Sequence, residues 1–165
     1  MEVSGSQKSS ILIVTGERGS GKSFYCRKRV EDARRDGLKV AGLLSVALFS
    51  QGEKVGIEIE DLSSGERQLL ASISPDPSRR IRLGPWHFDE RAIEWANQVL
   101  ELALPCDLLV VDEIGILEFD QANGFLAAFD ILDHGVYRLA LVVVRPEYLE
   151  KALARWSWAE KVWIK

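Results

Sequence analysis

The chain has 165 residues, 47% apolar and 28% charged, with a formal net charge of −4. Those values predict a single globular domain over residues 1–165 with one sizeable core, the chain being too short for two. The acidic balance argues against a nucleic-acid partner held by bulk charge, and the lack of a long apolar run or a signal-peptide core predicts a cytoplasmic protein with no membrane partner.

Residues 1–9 read as a flexible arm. Ile11-Leu12-Ile13-Val14-Thr15 is a short apolar and β-branched run, the pattern of a strand buried on both faces. It leads into Gly16-Glu17-Arg18-Gly19-Ser20-Gly21-Lys22-Ser23, which fits the phosphate-loop pattern GxxxxGK(S/T). Residues 24–36 then carry Cys26, Val30 and Ala33 at helix spacing, with Gly37 as the stop. Strand, octet and helix in that order separate a phosphate loop from glycines that merely turn the chain. In such a loop the backbone N–H groups face inward and the helix N-terminus adds partial positive charge. Lys22 would reach the β- and γ-phosphates of a nucleoside triphosphate, and Ser23 would offer its hydroxyl to Mg2+.

Residues 39–49 and 55–62 predict a β-hairpin around Ser50-Gln51-Gly52-Glu53, the second arm alternating Val55, Ile57 and Ile59 with Gly56, Glu58 and Glu60. A short strand is expected over 66–72, and 74–85, dense in proline and arginine, reads as a loop holding His87 just beyond it. Asp89 is placed to cap a helix with Ile93, Ala96, Val99, Leu100 and Ala103 on one face, which Pro105 ends. A buried strand follows at 108–111, then a helix over 119–132, a strand over 137–144, a helix over 147–156 and a last strand over 161–164. Strands alternating with helices after a phosphate loop predict an α/β fold. The sheet is expected to be mostly parallel and sandwiched by helices, with an antiparallel β-hairpin insertion.

The strand at 108–111 ends in Asp112-Glu113. Two carboxylates at the C-terminal end of a buried strand are costly unless a cation or a reaction uses them. Asp112 is placed as the second Mg2+ ligand beside Ser23, and Glu113 as the base or orienter for an attacking water. Arg145, just past a strand, is the first choice for positive charge beside the γ-phosphate, with Arg79, Arg80 and Arg82 as other candidates; solvated basic groups are the alternative reading for each. Cys26 and Cys106 lack metal-ligand spacing and read as buried free thiols. His87 and His134 belong to no catalytic constellation. The tryptophans, Trp156, Trp158 and Trp163 among them, read as packing between the last helix and the sheet.

The octet with Thr15 before it, the stretch Val55-Gly56-Ile57-Glu58-Ile59-Glu60-Asp61-Leu62 with Ser64-Gly65-Glu66, and Val111-Asp112-Glu113-Ile114-Gly115 with Leu117-Glu118 together resemble the THEP-type family of small nucleoside triphosphatases. The resemblance runs from about residue 11 to the helix after Arg145. It implies a RecA-like P-loop core and Mg2+-dependent hydrolysis of ATP, GTP and other triphosphates with little base preference. It also places nucleotide contacts on Gly16 to Ser23 and on Leu108 to Gly115, including Asp112, Glu113, Ile114 and Gly115. Arg18 departs from the proline common in the family. Two other readings compete: a small-molecule or nucleotide kinase whose acceptor site is built from residues 39–62, and a nucleotide-dependent switch. A guanine-reading (N/T)KxD motif is missing, which counts against a GTPase switch, and Glu113 beside Asp112 favours water as acceptor.

Overall fold

The computed structural model describes residues 9–165, so the expected N-terminal arm, apart from Ser9, lies outside the described residues. Strand β1 (Ser10–Thr15) buries Ile11, Ile13, Val14 and Thr15, as a strand in the interior of a parallel sheet must. Helix α1 (Lys22–Arg35) buries Lys22, Cys26, Val30 and Ala33 along one stripe, with Gly37 beyond it at φ 74°. Strands β2 (Val40–Ser50) and β3 (Glu53–Asp61) form the expected hairpin with a tighter link than the sequence suggests. Gln51 and Gly52 both lie at positive φ, 51° and 81°, as a two-residue hairpin turn requires.

Strand β4 (Arg67–Ser72) pairs with β3 as expected. The segment expected as a loop carries instead strands β5 (Ile81–Leu83) and β6 (Trp86–Phe88), paired with each other, and β6 adds to β4. His87 therefore lies on a strand. Three-residue strands are too short to show alternation, so sequence pattern passes over them. Helix α2 (Glu90–Glu101) starts where Asp89 Oδ1 accepts from the backbone N–H of Arg91 and Ala92, and it ends at Leu102, short of Pro105.

Strand β7 (Cys106–Asp112) is followed by two helices in place of the one expected over 119–132: α3 (Ile116–Gln121) and α4 (Ala127–His134). Between them Ala122 and Gly124 turn to positive φ. A Cβ on Gly124 would collide with the Glu118 carboxylate, so the break is built around that acid. Strand β8 (Tyr137–Val143), a 3-10 turn (Pro146–Tyr148), helix α5 (Leu149–Arg155) and strand β9 (Glu160–Trp163) complete the chain.

The nine strands among the described residues form one sheet in the order β5-β6-β4-β3-β2-β7-β8-β1-β9. The five from β2 to β9 are parallel, and the four beyond β2 are antiparallel, so the insertion is a four-stranded extension larger than a hairpin. The stripe of α1 packs with Val14, Leu108, Val110, Leu141 and Val143 on one face. On the other, residues of α2, α4 and α5 pack with Ile13, Leu109, Val111 and Val142. Trp156 is fully buried there, but Trp158 and Trp163 are exposed, so core packing accounts for only one of those three. Cys26 and Cys106 are buried free thiols, and burial pushes both up, Cys106 to about 11. No helix among the described residues is long and apolar enough to cross a membrane.

Candidate active site

The octet spans the C-terminal end of β1 and the N-terminus of α1. Gly16, Gly19 and Gly21 lie at φ 152°, 75° and 98°, which lets the backbone turn its N–H groups toward a common centre. A Cβ on Gly16 would run into the Ile164 carbonyl and the Ser20 hydroxyl, so no other residue fits there. Ser20 N–H donates to the Glu17 carbonyl at 3.1 Å, closing the loop. Lys22 is 9% exposed, and its Nζ donates to the carbonyls of Gly16 at 2.8 Å and Glu17 at 2.9 Å. Glu17, Arg18 and Gly19 form the exposed rim. Thr15 Oγ1 and Ser20 Oγ are buried with no hydrogen-bond partner among the described residues.

Ser23 Oγ donates to Asp112 Oδ2 at 2.6 Å. The same oxygen accepts the Ser45 N–H at 3.1 Å, and Ser45 Oγ donates to the Asp112 carbonyl at 2.8 Å. Ser45 escaped the sequence reading because only the parallel pairing of β2 with β7 brings it there. Asp112 is 3% exposed. Burial, with the neighbouring Glu113 charge, pushes its carboxyl up to about 6 against the Ser23 and Ser45 hydrogen bonds.

Glu113 leaves the strand end toward a cleft, where Arg145 Nη2 lies 3.4 Å from Glu113 Oε1. The two come from the ends of adjacent parallel strands, β7 and β8. Ile114 follows Glu113 just past the end of the strand. Its side chain is fully buried in the core and its N–H donates to the Val143 carbonyl at 3.0 Å. Gly115 N–H donates to Glu118 Oε1 at 2.8 Å, and the Phe125 N–H donates to Glu118 Oε2 at 2.8 Å. Burial pushes the Glu118 carboxyl up while these backbone donors oppose the shift. One buried acid thus pins the segment after Asp112-Glu113 to the break between α3 and α4.

The cleft has a volume of about 830 Å3, and Arg18, Lys54, Asp112, Glu113 and Arg145 line it. Arg79, Arg80 and Arg82 do not line it, and Arg79 pairs with Asp76 at 3.7 Å. From that same segment Leu83, Gly84, Pro85 and Trp86 line the cleft instead. Lys54 and Trp86 carry no sequence motif, and only the order of the antiparallel strands brings them to the site.

A family model described as NTPase matches residues 11–164. The chain belongs to that family. It is 33% identical over 125 residues to a protein of Methanosarcina acetivorans named nucleoside-triphosphatase THEP1, covering 74% of this chain and 69% of that one. A protein of Korarchaeum cryptofilum with the same name is 30% identical over 149 residues, 88% of this chain and 75% of its own length. Among solved structures, a human cancer-related nucleoside triphosphatase superposes with a TM-score of 0.72 at 22% identity, covering 95% of this chain and 89% of that one. THEP1 of Aquifex aeolicus superposes at 0.69 and 19% identity, covering 94% and 90%. The chain therefore has the P-loop NTPase fold, and the resemblance seen in the sequence to THEP-type proteins holds.

Proposed function

We propose that this chain is a Mg2+-dependent nucleoside triphosphatase that cleaves the γ-phosphate anhydride of ATP, GTP and other triphosphates, releasing nucleoside diphosphate and phosphate. The observation that carries this reading is the contact of Ser23 with Asp112 at 2.6 Å, with the Glu113–Arg145 pair alongside it. Together they set a phosphate cradle, two hard oxygen donors and a carboxylate–guanidinium pair at one end of the sheet.

The loop N–H groups and the N-terminus of α1 hold the β- and γ-phosphates. Lys22 exchanges the carbonyls of Gly16 and Glu17 for phosphate oxygens, a charge-assisted contact in a water-poor place. Ser23 Oγ and the Asp112 carboxylate fit Mg2+ by donor type, and the bound ion would supply charge stabilisation on the γ-phosphate. Glu113 orients the attacking water and takes its proton. Arg145 holds the Glu113 carboxylate toward the cleft and puts positive charge beside the phosphoryl group in flight.

These contacts address phosphate, which supports low base preference. The THEP1 relatives bear the name of nucleoside-triphosphatases, which supports water over a second acceptor. The test is phosphate release from ATP, GTP, CTP and UTP with no added acceptor, in Mg2+ and in chelator. Release from all four within about tenfold of one another, lost in chelator, is expected. No release from any of them would overturn the reading.

A further inference from the structure

The cleft beside Glu113 is larger than an attack by water requires. Arg18 and Gly19 are the loop residues that reach its wall, so most of its roughly 830 Å3 lies outside the phosphate cradle, along the antiparallel extension. That volume lies in the range of small-molecule sites. The wall there is apolar, built from Ala47, Ile57, Leu70, Leu83, Phe88 and Phe125. Phe49, which is 66% exposed, and the exposed Ile73 and Ile116 line the same cleft. Large apolar groups left in water around a concave apolar wall mark a place where something binds.

The polar groups in the lining are concentrated at the loop end, and most are already engaged. Asp112 is held by Ser23 and Ser45, Glu118 by two backbone N–H groups, and Glu113 by Arg145. Lys54 has no carboxylate within ion-pair distance among the described residues, and its ammonium lies 5.6 Å from the centre of the Trp86 ring. A free cation beside an indole, at the head of an apolar trough, complements an aromatic anion.

We propose that this cleft binds a second small molecule, with a flat apolar body and one anionic group, while the triphosphate occupies the loop. The body packs on Trp86 and the apolar wall, and the anion meets Lys54. This goes beyond the hydrolytic reading and rests on it only in taking the loop as the seat of the triphosphate. The occupant's anionic end faces the cleft that Glu113 and Arg145 also line.

The experiment is a fluorescence titration of the whole chain with 8-anilinonaphthalene-1-sulfonate, with and without a saturating non-hydrolysable triphosphate and Mg2+. About one probe per chain is expected, with an affinity the nucleotide changes by less than about threefold. Ala47 is exposed on its strand, so Ala47→Trp fills the trough without disturbing the core, and it should weaken the probe by about tenfold or more. Lys54→Met should weaken it by about fivefold, and the uncharged N-phenyl-1-naphthylamine should bind less tightly than the sulfonate. Displacement of the probe by the nucleotide would make the cleft the seat of the nucleotide's own base and overturn the proposal. Binding of several probes, indifferent to Ala47→Trp, would overturn it as adventitious adhesion. Neither readout depends on phosphate release, so failure here and failure of the hydrolytic reading are separable.

Discussion

Ser23 Oγ donates to Asp112 Oδ2 at 2.6 Å across 89 residues of sequence, tying the first turn of α1 to the end of β7. Strand β8 lies between β1, which carries the loop, and β7, which carries the acid, so the contact bridges the parallel sheet. If these two oxygens share Mg2+, Ser23→Ala should raise the Mg2+ concentration at half-maximal phosphate release by about 10- to 100-fold. An unchanged Mg2+ midpoint would remove Ser23 from the metal site.

Lys22 bridges two loop carbonyls through a nearly buried ammonium. If it exchanges these for phosphate oxygens, it is a binding residue. Lys22→Met should weaken triphosphate affinity by about 100-fold, the equivalent of one or two charge-assisted hydrogen bonds. Calorimetric titration checks this, and affinity retained within about threefold would contradict it.

Glu118 spends both carboxylate oxygens on main-chain N–H donors. In Glu118→Gln the side-chain amide must turn its NH2 toward one of those donors, stranding a buried N–H. A loss of about 1–3 kcal/mol in urea unfolding is expected. Equal stability of the variant would show that the Gly115 segment is held by other means.

Glu60 joins α1 to the extension by accepting from Arg27 Nη1 at 2.8 Å and Arg67 Nε at 2.7 Å. Burial alone would push this carboxyl up, but the two guanidinium hydrogen bonds prevail and hold it below its ordinary 4.5. A depressed carboxyl adds stability above its unfolded value and loses it as pH falls through the lower folded value. Glu60→Gln should therefore cost about 1–2 kcal/mol at pH 7, the partial exposure of both arginines limiting the figure, with the gap to wild type closing as pH falls below the ordinary 4.5. Thermal melts across pH 3–8 read this directly, and a gap independent of pH would refute it.

The parts of the site that were legible are those written locally in the chain. An apolar run into Gly16–Ser23 and on into the stripe of Cys26, Val30 and Ala33 defines β1, loop and α1 by order alone. Asp112 and Glu113 stand out because charge follows four apolar residues. Ser45, Lys54 and Trp86 were not legible, since each reaches the site only through strand pairings distant in sequence. The break at Ala122–Gly124 stayed hidden because Phe119, Phe125, Ala128 and Leu132 keep a helix-like apolar recurrence on both sides of it. The fold class followed from alternation, but the size of the antiparallel extension did not, because β5 and β6 are only three residues each.

In the proposed reaction Glu113, held by Arg145, activates the water that takes the γ-phosphate. Single-turnover phosphate release by Glu113→Gln, read beside its triphosphate affinity, tests it most directly. A rate reduced by about 100-fold or more with affinity within about threefold of wild type is the predicted result. Hydrolysis at the wild-type rate by Glu113→Gln would contradict it.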